Sequence, residues 1–331
     1  MRPKVSVIVP VRHASCSLKP LIDSLLAQTL KPCEVILACS SVDRELLDKL
    51  PKEVKVEIVE DDRGPNSARN AGLRIARGEV VSFVDSDCYV PPHWLENVIL
   101  DMERFSADAV AGTVEALNRD NFIARYQCFS MFAPVPRYRR YKRLRKRLGL
   151  TLIVTANFSA KKDVLVKVGG FDEDFGTLGS DDMDLAERIL KNGYTIICSP
   201  RALVYHVNRE DLKAVIKRYF QYGKGFTIYR SKHPLTPFSI LISLATYANV
   251  IGHAVAVWLL ALLKPVLATI ILLAPLVLIT LYHVAMIAID GNFEHLAYPP
   301  LDYLIAWASI LGILSGDLTL LLSKLKRTLT P

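Results

Sequence analysis

Two pairs of carboxylates in this 331-residue chain are placed where they could do chemistry. The first is Asp85-Ser-Asp87, which ends a run of strand-forming apolar residues, Val80, Val81, Phe83 and Val84. Cys88-Tyr-Val-Pro-Pro92 follows and cannot continue a regular element. Ligands of open α/β sheets sit outside the carboxyl ends of the strands, and two aspartates one residue apart at such an edge can hold a divalent cation against a diphosphate. Oxygen donors of this kind suit Mg²⁺ or Mn²⁺. The second pair is Asp181-Asp182, which opens Asp181-Asp-Met-Asp-Leu-Ala-Glu-Arg188. Crowded carboxylates raise one another's pKa, and that helps one of them accept a proton near neutral pH. Each pair alone also has a plainer reading: a solvated Asp-Ser-Asp turn, and a helix N-terminus enriched in acid for dipole reasons.

The elements that must position these residues are legible from periodicity. Val5 to Val11 reads as a first strand, Leu18 to Leu30 as a helix, and Glu34 to Ala38 as a second strand. Val54 to Glu60 alternates as a third strand, and a helix over Ser67 to Arg77 leads into the strand Glu79 to Val84. This βαβαβ opening predicts an α/β fold with a parallel sheet, helices on both faces and a nucleotide-type site at the strand ends. The connection Asp61-Asp-Arg-Gly-Pro-Asn-Ser-Ala-Arg-Asn-Ala-Gly72 carries Gly64 and Gly72, which permit close backbone approach, and Arg69, which can point at a phosphate. Asp62 in the same loop joins it as a candidate nucleotide contact.

Five blocks in sequence then resemble one family. A first strand ending in Val-Pro10, the block Asn66-Ser-Ala-Arg-Asn-Ala-Gly72 and the run Ala76-Arg-Gly-Glu-Val-Val-Ser-Phe-Val-Asp-Ser-Asp87 are similar to the nucleotide-sugar half of family 2 glycosyltransferases, which have the GT-A fold. Thr155-Ala-Asn-Phe-Ser-Ala160, Val168-Gly-Gly-Phe-Asp-Glu173 and Gly179-Ser-Asp-Asp-Met-Asp-Leu-Ala-Glu-Arg188, then Gly193-Tyr194, resemble the acceptor half in the same order. The resemblance implies an inverting, metal-dependent transfer from a nucleotide-diphosphate sugar. It places Asp85 and Asp87 on the metal, and His206, in Val204-Tyr-His-Val207, where several such enzymes have a third ligand. Asp182 aligns with the base, with Asp181 and Arg188 beside it in the catalytic set. Pro10, Arg12, Ser40, Asp62, Arg69 and Asp85 fall among the donor contacts.

Two departures qualify this pattern. Family members often carry acid at the end of the second strand, whereas this chain has Ala38-Cys-Ser-Ser-Val-Asp43, with Ser40 or Asp43 as substitutes. Relatives of cellulose synthase carry Gln-x-x-Arg-Trp before the membrane, and here Gln221-Tyr-Gly-Lys-Gly225 stands in its place, with Lys224 a point charge for the diphosphate. The missing acid leans the donor towards GDP-mannose, as in the dolichyl-phosphate mannose synthases that the chain also resembles. A UDP-sugar donor, processive synthesis and a catalytically silent scaffold are the alternatives.

Composition divides the chain. Hydrophobic residues make up 51% of it, yet charged residues almost vanish only from Phe238 to Leu322. The expected domains are therefore a GT-A catalytic domain over 1–206, amphipathic interface helices over 207–236, and a transmembrane domain over 237–331. Its three spans fall near 238–263, 266–289 and 303–322. The last carries Asp317 and has re-entry as its alternative reading, while His253, His283 and Asp317 either face a lipid-acceptor groove or hydrogen-bond between helices. The net charge of +8 matches the eight Lys and Arg between Arg137 and Arg147. Beside membrane helices that basic segment suits anionic lipid headgroups or an acidic lipid-linked substrate. No RNA-binding signature accompanies its tyrosines, which argues against nucleic acid. Six cysteines without a C-x-x-C pair read as reduced core residues of a cytoplasmic domain. The expected whole is an integral protein of the cell membrane that uses Mn²⁺ or Mg²⁺ and a polyprenyl phosphate or lipid-linked glycan as acceptor.

Overall fold

The computed structural model describes residues 2–15, 18–60, 63–133 and 135–329. Two compact units emerge, one of Met1–Ala124 with Val135–Asn208, the other of Arg125–Pro134 with Arg209–Pro331.

The first unit is built on one sheet. Its strands are β1 (Val5–Ala14), β2 (Glu34–Val42), β3 (Val54–Ile58), β4 (Val80–Phe83), β5 (Cys88–Tyr89), β6 (Ala109–Ala116), β7 (Lys142–Leu144), β8 (Phe158–Lys161) and β9 (Ile196–His206). The helices among them are α1 (Lys19–Leu26), α2 (Arg44–Leu47), α3 (Pro65–Ile75), α4 (Trp94–Phe105), α6 (Lys162–Lys167) and α7 (Asp181–Lys191). A further helix, α5 (Phe122–Phe129), carries the chain out of this unit. Strand order is β3-β2-β1-β4-β8-β6-β9-β5, with β7 also on β9. Val7, Val9, Leu37 and Val81 are fully buried because helices cover both faces, which is why these strands read as unbroken apolar runs.

The parallel expectation holds for half of the sheet. β3, β2, β1 and β4 are parallel throughout, but β8 runs antiparallel to both β4 and β6, so the sheet is mixed. β6 precedes β8 in the chain, and β8 lies between β4 and β6, running in the opposite direction. No local pattern in Phe158–Lys161 records that direction, because alternation looks the same both ways. β9 is parallel to β6, so the carboxyl ends of β1, β2, β4, β6 and β9 all meet at one edge. At the opposite edge, buried Glu34 accepts from Ser6 Oγ (2.7 Å), Lys55 Nζ (2.5 Å) and the Arg77 amide (2.6 Å), a clasp across the strand starts.

Three residues of the basic segment, Lys142–Leu144, join this sheet. β7 pairs with the first residues of β9, Leu144 is buried, and Tyr141 donates to Asp101 at 3.0 Å. All eight cations stay exposed.

In the second unit α8 (Leu212–Lys232) is followed by α9 (Pro237–Ala261), α10 (Pro265–Asp290) and α11 (Pro299–Leu329). The last three contain segments of 25, 26 and 28 residues, long and apolar enough to cross a membrane. α11 begins four residues before the expected third span. Asp302 interrupts the apolar run there, but it is fully buried and hydrogen-bonded inside the helix packing. α8 crosses α11 at backbone contact: a Cβ on Gly223 would lie 2.1 Å from Ser309 O, and one on Gly312 2.1 Å from Phe220 O. The polar groups of the spans bond between elements. Asp317 pairs with Arg230 of α8 and Tyr247 of α9, His253 reaches Tyr303, and buried His283 reaches Asp302.

Candidate functional site

The strand edge of the first unit gathers the acidic residues. β4 ends at Phe83, and the turn after it leads into β5, whose Cys88 pairs antiparallel with His206 at the end of β9. The Val207 amide donates to Asp87 O at 2.9 Å, so main-chain pairing brings residues over a hundred positions apart side by side. Asp85, Asp87 and His206 each offer a ligand atom, and these atoms lie within 4.8 Å of one another. His206 Nε2 is 3.3 Å from Asp87 Oδ1, while Nδ1 faces Asn208 Oδ1 at 3.1 Å. Burial pushes the His206 pKa down, but the Asp87 hydrogen bond and charge, with Asp85 and Asn208, outweigh it and raise the net value. Two carboxylates and an imidazole are a donor set that fits Mn²⁺ or Mg²⁺.

Helix α3 delivers the next group. Gly64 sits at φ +123° at its N-cap, and a Cβ there would lie 2.8 Å from Gly176 O, so only glycine admits this approach. Arg69 is buried one turn further on and donates to Asp85 Oδ1 (3.0 Å), Asp181 Oδ2 (3.2 Å) and Asn66 Oδ1 (3.0 Å). Its guanidinium also lies over the Phe171 ring at 5.4 Å. Arg69, read from the sequence as able to point at a phosphate, joins the Asp-Ser-Asp turn to the start of α7. There Ser180 adopts a left-handed φ of 69°, a cost that a non-glycine residue bears where the fold demands it. Asp182 follows, half-buried, its Oδ1 accepting from the Met183 amide at 2.8 Å.

The other sequence candidates fall in several places. Pro10 is buried in β1 opposite Ala38, Arg12 is exposed, and Ser40 is half-buried because β2 continues through Val42. Asp43 pairs with His13 Nε2 at 3.1 Å. Arg188 is committed to Asp184 (2.8 Å) and to the carbonyls of Val168 (2.6 Å) and Gly170 (2.7 Å), where it braces a turn. Gln221 and Lys224 lie half-buried on α8 of the second unit. Asp62 lies outside the described residues, as does Cys16.

Sequence reasoning passed over the asparagines. Asn70 donates to Phe171 O (2.8 Å) and Glu173 Oε1 (2.9 Å) and accepts from the Phe171 amide, while Asn66 donates to Asp172 O. They knit the Asn66–Gly72 block to Gly169-Gly-Phe-Asp-Glu173. The spacing Asn66-x-x-x-Asn70, one helical turn, is the signal that could have found them. His13 was also missed, since a lone histidine past a strand carries no periodic signal.

Comparison with known proteins bears on the family and the fold. Residues 6–169 match the model of glycosyl transferase family 2, and residues 136–212 match that of the N-terminal domain of galactosyltransferase. The pre-mycofactocin glycosyltransferase of Mycobacterium tuberculosis is 26% identical over 77% of this chain, which spans only 52% of that relative. The glucosyl-dolichyl phosphate glucuronosyltransferase of Haloferax volcanii is 28% identical over 61% of this chain and 69% of its own. In fold, a mannosyltransferase from Pyrobaculum calidifontis, solved with GDP-Man and Mn²⁺, superposes with a TM-score of 0.60. It covers 95% of this chain and 88% of its own at 18% identity.

Proposed function

Because this chain is a glycosyltransferase whose residues 6–169 form a family 2 domain on the GT-A fold, we propose that it moves one sugar from a nucleotide-diphosphate donor to a polyprenyl phosphate or lipid-linked glycan. The convergence of Asp85, Asp87 and His206 within 4.8 Å carries the reading. A bound Mn²⁺ or Mg²⁺ would neutralise charge on the departing diphosphate as a Lewis acid. Arg69 holds Asp85 in place and ties it to Asp181, so the donor edge and the start of α7 keep a set separation. Asp182 takes the proton of the attacking hydroxyl, and the one-step displacement inverts the anomeric carbon. The three apolar helices support an acceptor delivered in the membrane.

The donor we favour is GDP-mannose. β2 runs through Ser40, Ser41 and Val42 without an acid at its edge, and Asp43 beyond it is engaged by His13. The test is a panel of nucleotide sugars incubated with Mn²⁺, a polyprenyl phosphate and the full chain, with lipid-linked product read by mass. Mannose transfer abolished by EDTA is the expected result. Transfer only from a UDP sugar refutes the donor, and an α-linked product from an α-linked donor refutes Asp182 as the base of a single displacement. Donor hydrolysis absent with every sugar would favour a silent scaffold.

A further inference from the structure

Two arginines of the first unit stand over one aromatic ring at the end of α4. The Arg104 guanidinium lies 5.1 Å from the centre of the Phe105 ring and 5.4 Å from that of Tyr141, and the Arg143 guanidinium of β7 lies 5.8 Å from Phe105. The two rings pack at 4.9 Å, tilted by 50°. Arg143 Nη2 also donates to Phe105 O at 2.6 Å, which fixes β7 to the end of the helix. A third arginine, Arg201 of β9, is near enough to the Tyr141 hydroxyl for its charge to oppose the rise in pKa that burial and the Asp101 hydrogen bond cause.

Charge here is unbalanced. Asp101 is the buried acid of the cluster, and its oxygens are taken by hydroxyls: Tyr141 Oη donates to Oδ1 at 3.0 Å and Ser199 Oγ to Oδ2 at 2.5 Å. Among the described residues no carboxylate pairs with Arg104, Arg143 or Arg201, and all three are exposed. An exposed arginine ordinarily samples many rotamers, and stacking on a ring restricts that sampling before any ligand arrives. A guanidinium that rests its face on a ring keeps its N–H edge for a bidentate acceptor. The cluster also lies apart from the acidic edge: Arg143 pairs with Ile197 at the start of β9, whereas His206 ends that strand.

We propose that Arg104, Arg143 and Arg201 form a binding site for a phosphate group, separate from the donor edge. A phosphate monoester offers three terminal oxygens and up to two negative charges, so it can accept from more than one guanidinium edge at once. An anionic phospholipid headgroup and a soluble phosphate present this same chemistry. The site is more specific than a general attraction of the basic segment to anionic surfaces. Arg104 and Arg201 lie outside that segment, and the fixed geometry of the stacked guanidiniums sets the affinity.

The full chain in detergent, with EDTA present to keep metal from the donor edge, is titrated calorimetrically with inorganic phosphate and with dihexanoylphosphatidic acid. Arg104→Gln combined with Arg143→Gln should weaken binding about tenfold or more, the worth of a charge-assisted hydrogen bond. Arg139→Gln combined with Arg140→Gln removes the same charge from the neighbouring chain and should stay within about twofold of wild type. Arg104→Lys keeps the charge but loses the fork and the stack, and should also weaken binding about tenfold. With this pattern, saturable binding of inorganic phosphate supports a site that reads the phosphate group alone, and binding of the lipid only supports a headgroup site. Equal weakening by the two double variants, an unchanged Arg104→Lys, or no saturable binding of either ligand overturns the proposal. If the loss of Arg143 unfolds the protein, Arg104→Gln alone, which removes no hydrogen bond among the described residues, carries the same expectation.

Discussion

Asp87 and Asp182 are acids in unlike settings. Asp87 has 54% of its side chain exposed beside His206, open to an ion and a donor, whereas Asp182 is half-buried in the first turn of α7 with one oxygen held by a main-chain amide. Asp87→Ala should abolish Mn²⁺-dependent donor binding in a calorimetric titration. Asp182→Asn should leave that titration within about twofold of wild type and lower transfer by about 10²–10⁴-fold, the usual worth of a general base. The reverse pattern would exchange the two roles. Both aspartates belong to acidic pairs visible in the sequence, and the resemblance to family 2 glycosyltransferases gives them their expected roles. Arg69 is different: its place between Asp85 and Asp181 spans 112 residues of chain, and no spacing rule reaches that far.

Elements respond to substitution according to what they touch. The Glu34 clasp joins the starts of β1, β2 and β3. Burial pushes its pKa up, but hydrogen bonds from Lys55, Ser6 and the Arg77 amide, with the Lys55 charge, lower it overall. A carboxylate lowered in the folded state contributes stability that is complete above its ordinary value near 4.3 and is lost as the pH falls through the folded value. Glu34→Gln should therefore cost about 1–3 kcal/mol at neutral pH and flatten the acid limb of a denaturation profile, whereas an unchanged acid limb would deny the clasp its role. In the second unit, Gly312→Val would drive a side chain into Phe220 O and part α8 from α11. A melting temperature lower by several degrees is expected. Gly252→Ala, whose Cβ finds its nearest neighbour at 3.6 Å, should melt like wild type.

Over the whole molecule, charge and hydropathy are segregated. The excess of 41 basic over 33 acidic residues is matched by one edge segment of the first unit, and the longest apolar runs lie in the second. Within that segment Lys142–Leu144 pairs with β9 and Tyr141 donates to Asp101, which anchors it to the sheet while its cations stay exposed. We expect replacement of four or more of the basic residues from Arg137 to Arg147 by Gln to lower activity in bilayers rich in anionic lipid, with about 0.5 M salt mimicking the loss in wild type. Equal activity of variant and wild type at low salt would leave the segment a sheet edge protected by charge.

The sequence by itself determined the βαβαβ opening, the identity of the two acidic pairs, the order of the family's motifs and the presence of three long apolar helices. Each of these rests on neighbours in the chain: period-two and period-3.6 patterns, runs of apolar residues, and carboxylates one or two positions apart. Tertiary structure decided what depends on pairing across distance. It set the antiparallel direction of β8, placed His206 against Asp87 through the short β5–β9 ladder, and turned Arg69 into a bridge between carboxylates. It also turned His283 and Asp302, isolated polar letters in apolar helices, into hydrogen-bond partners. A buried polar group must find its partners wherever the fold brings them, and the cost of leaving it unpaired is paid in three dimensions, where linear spacing carries no record.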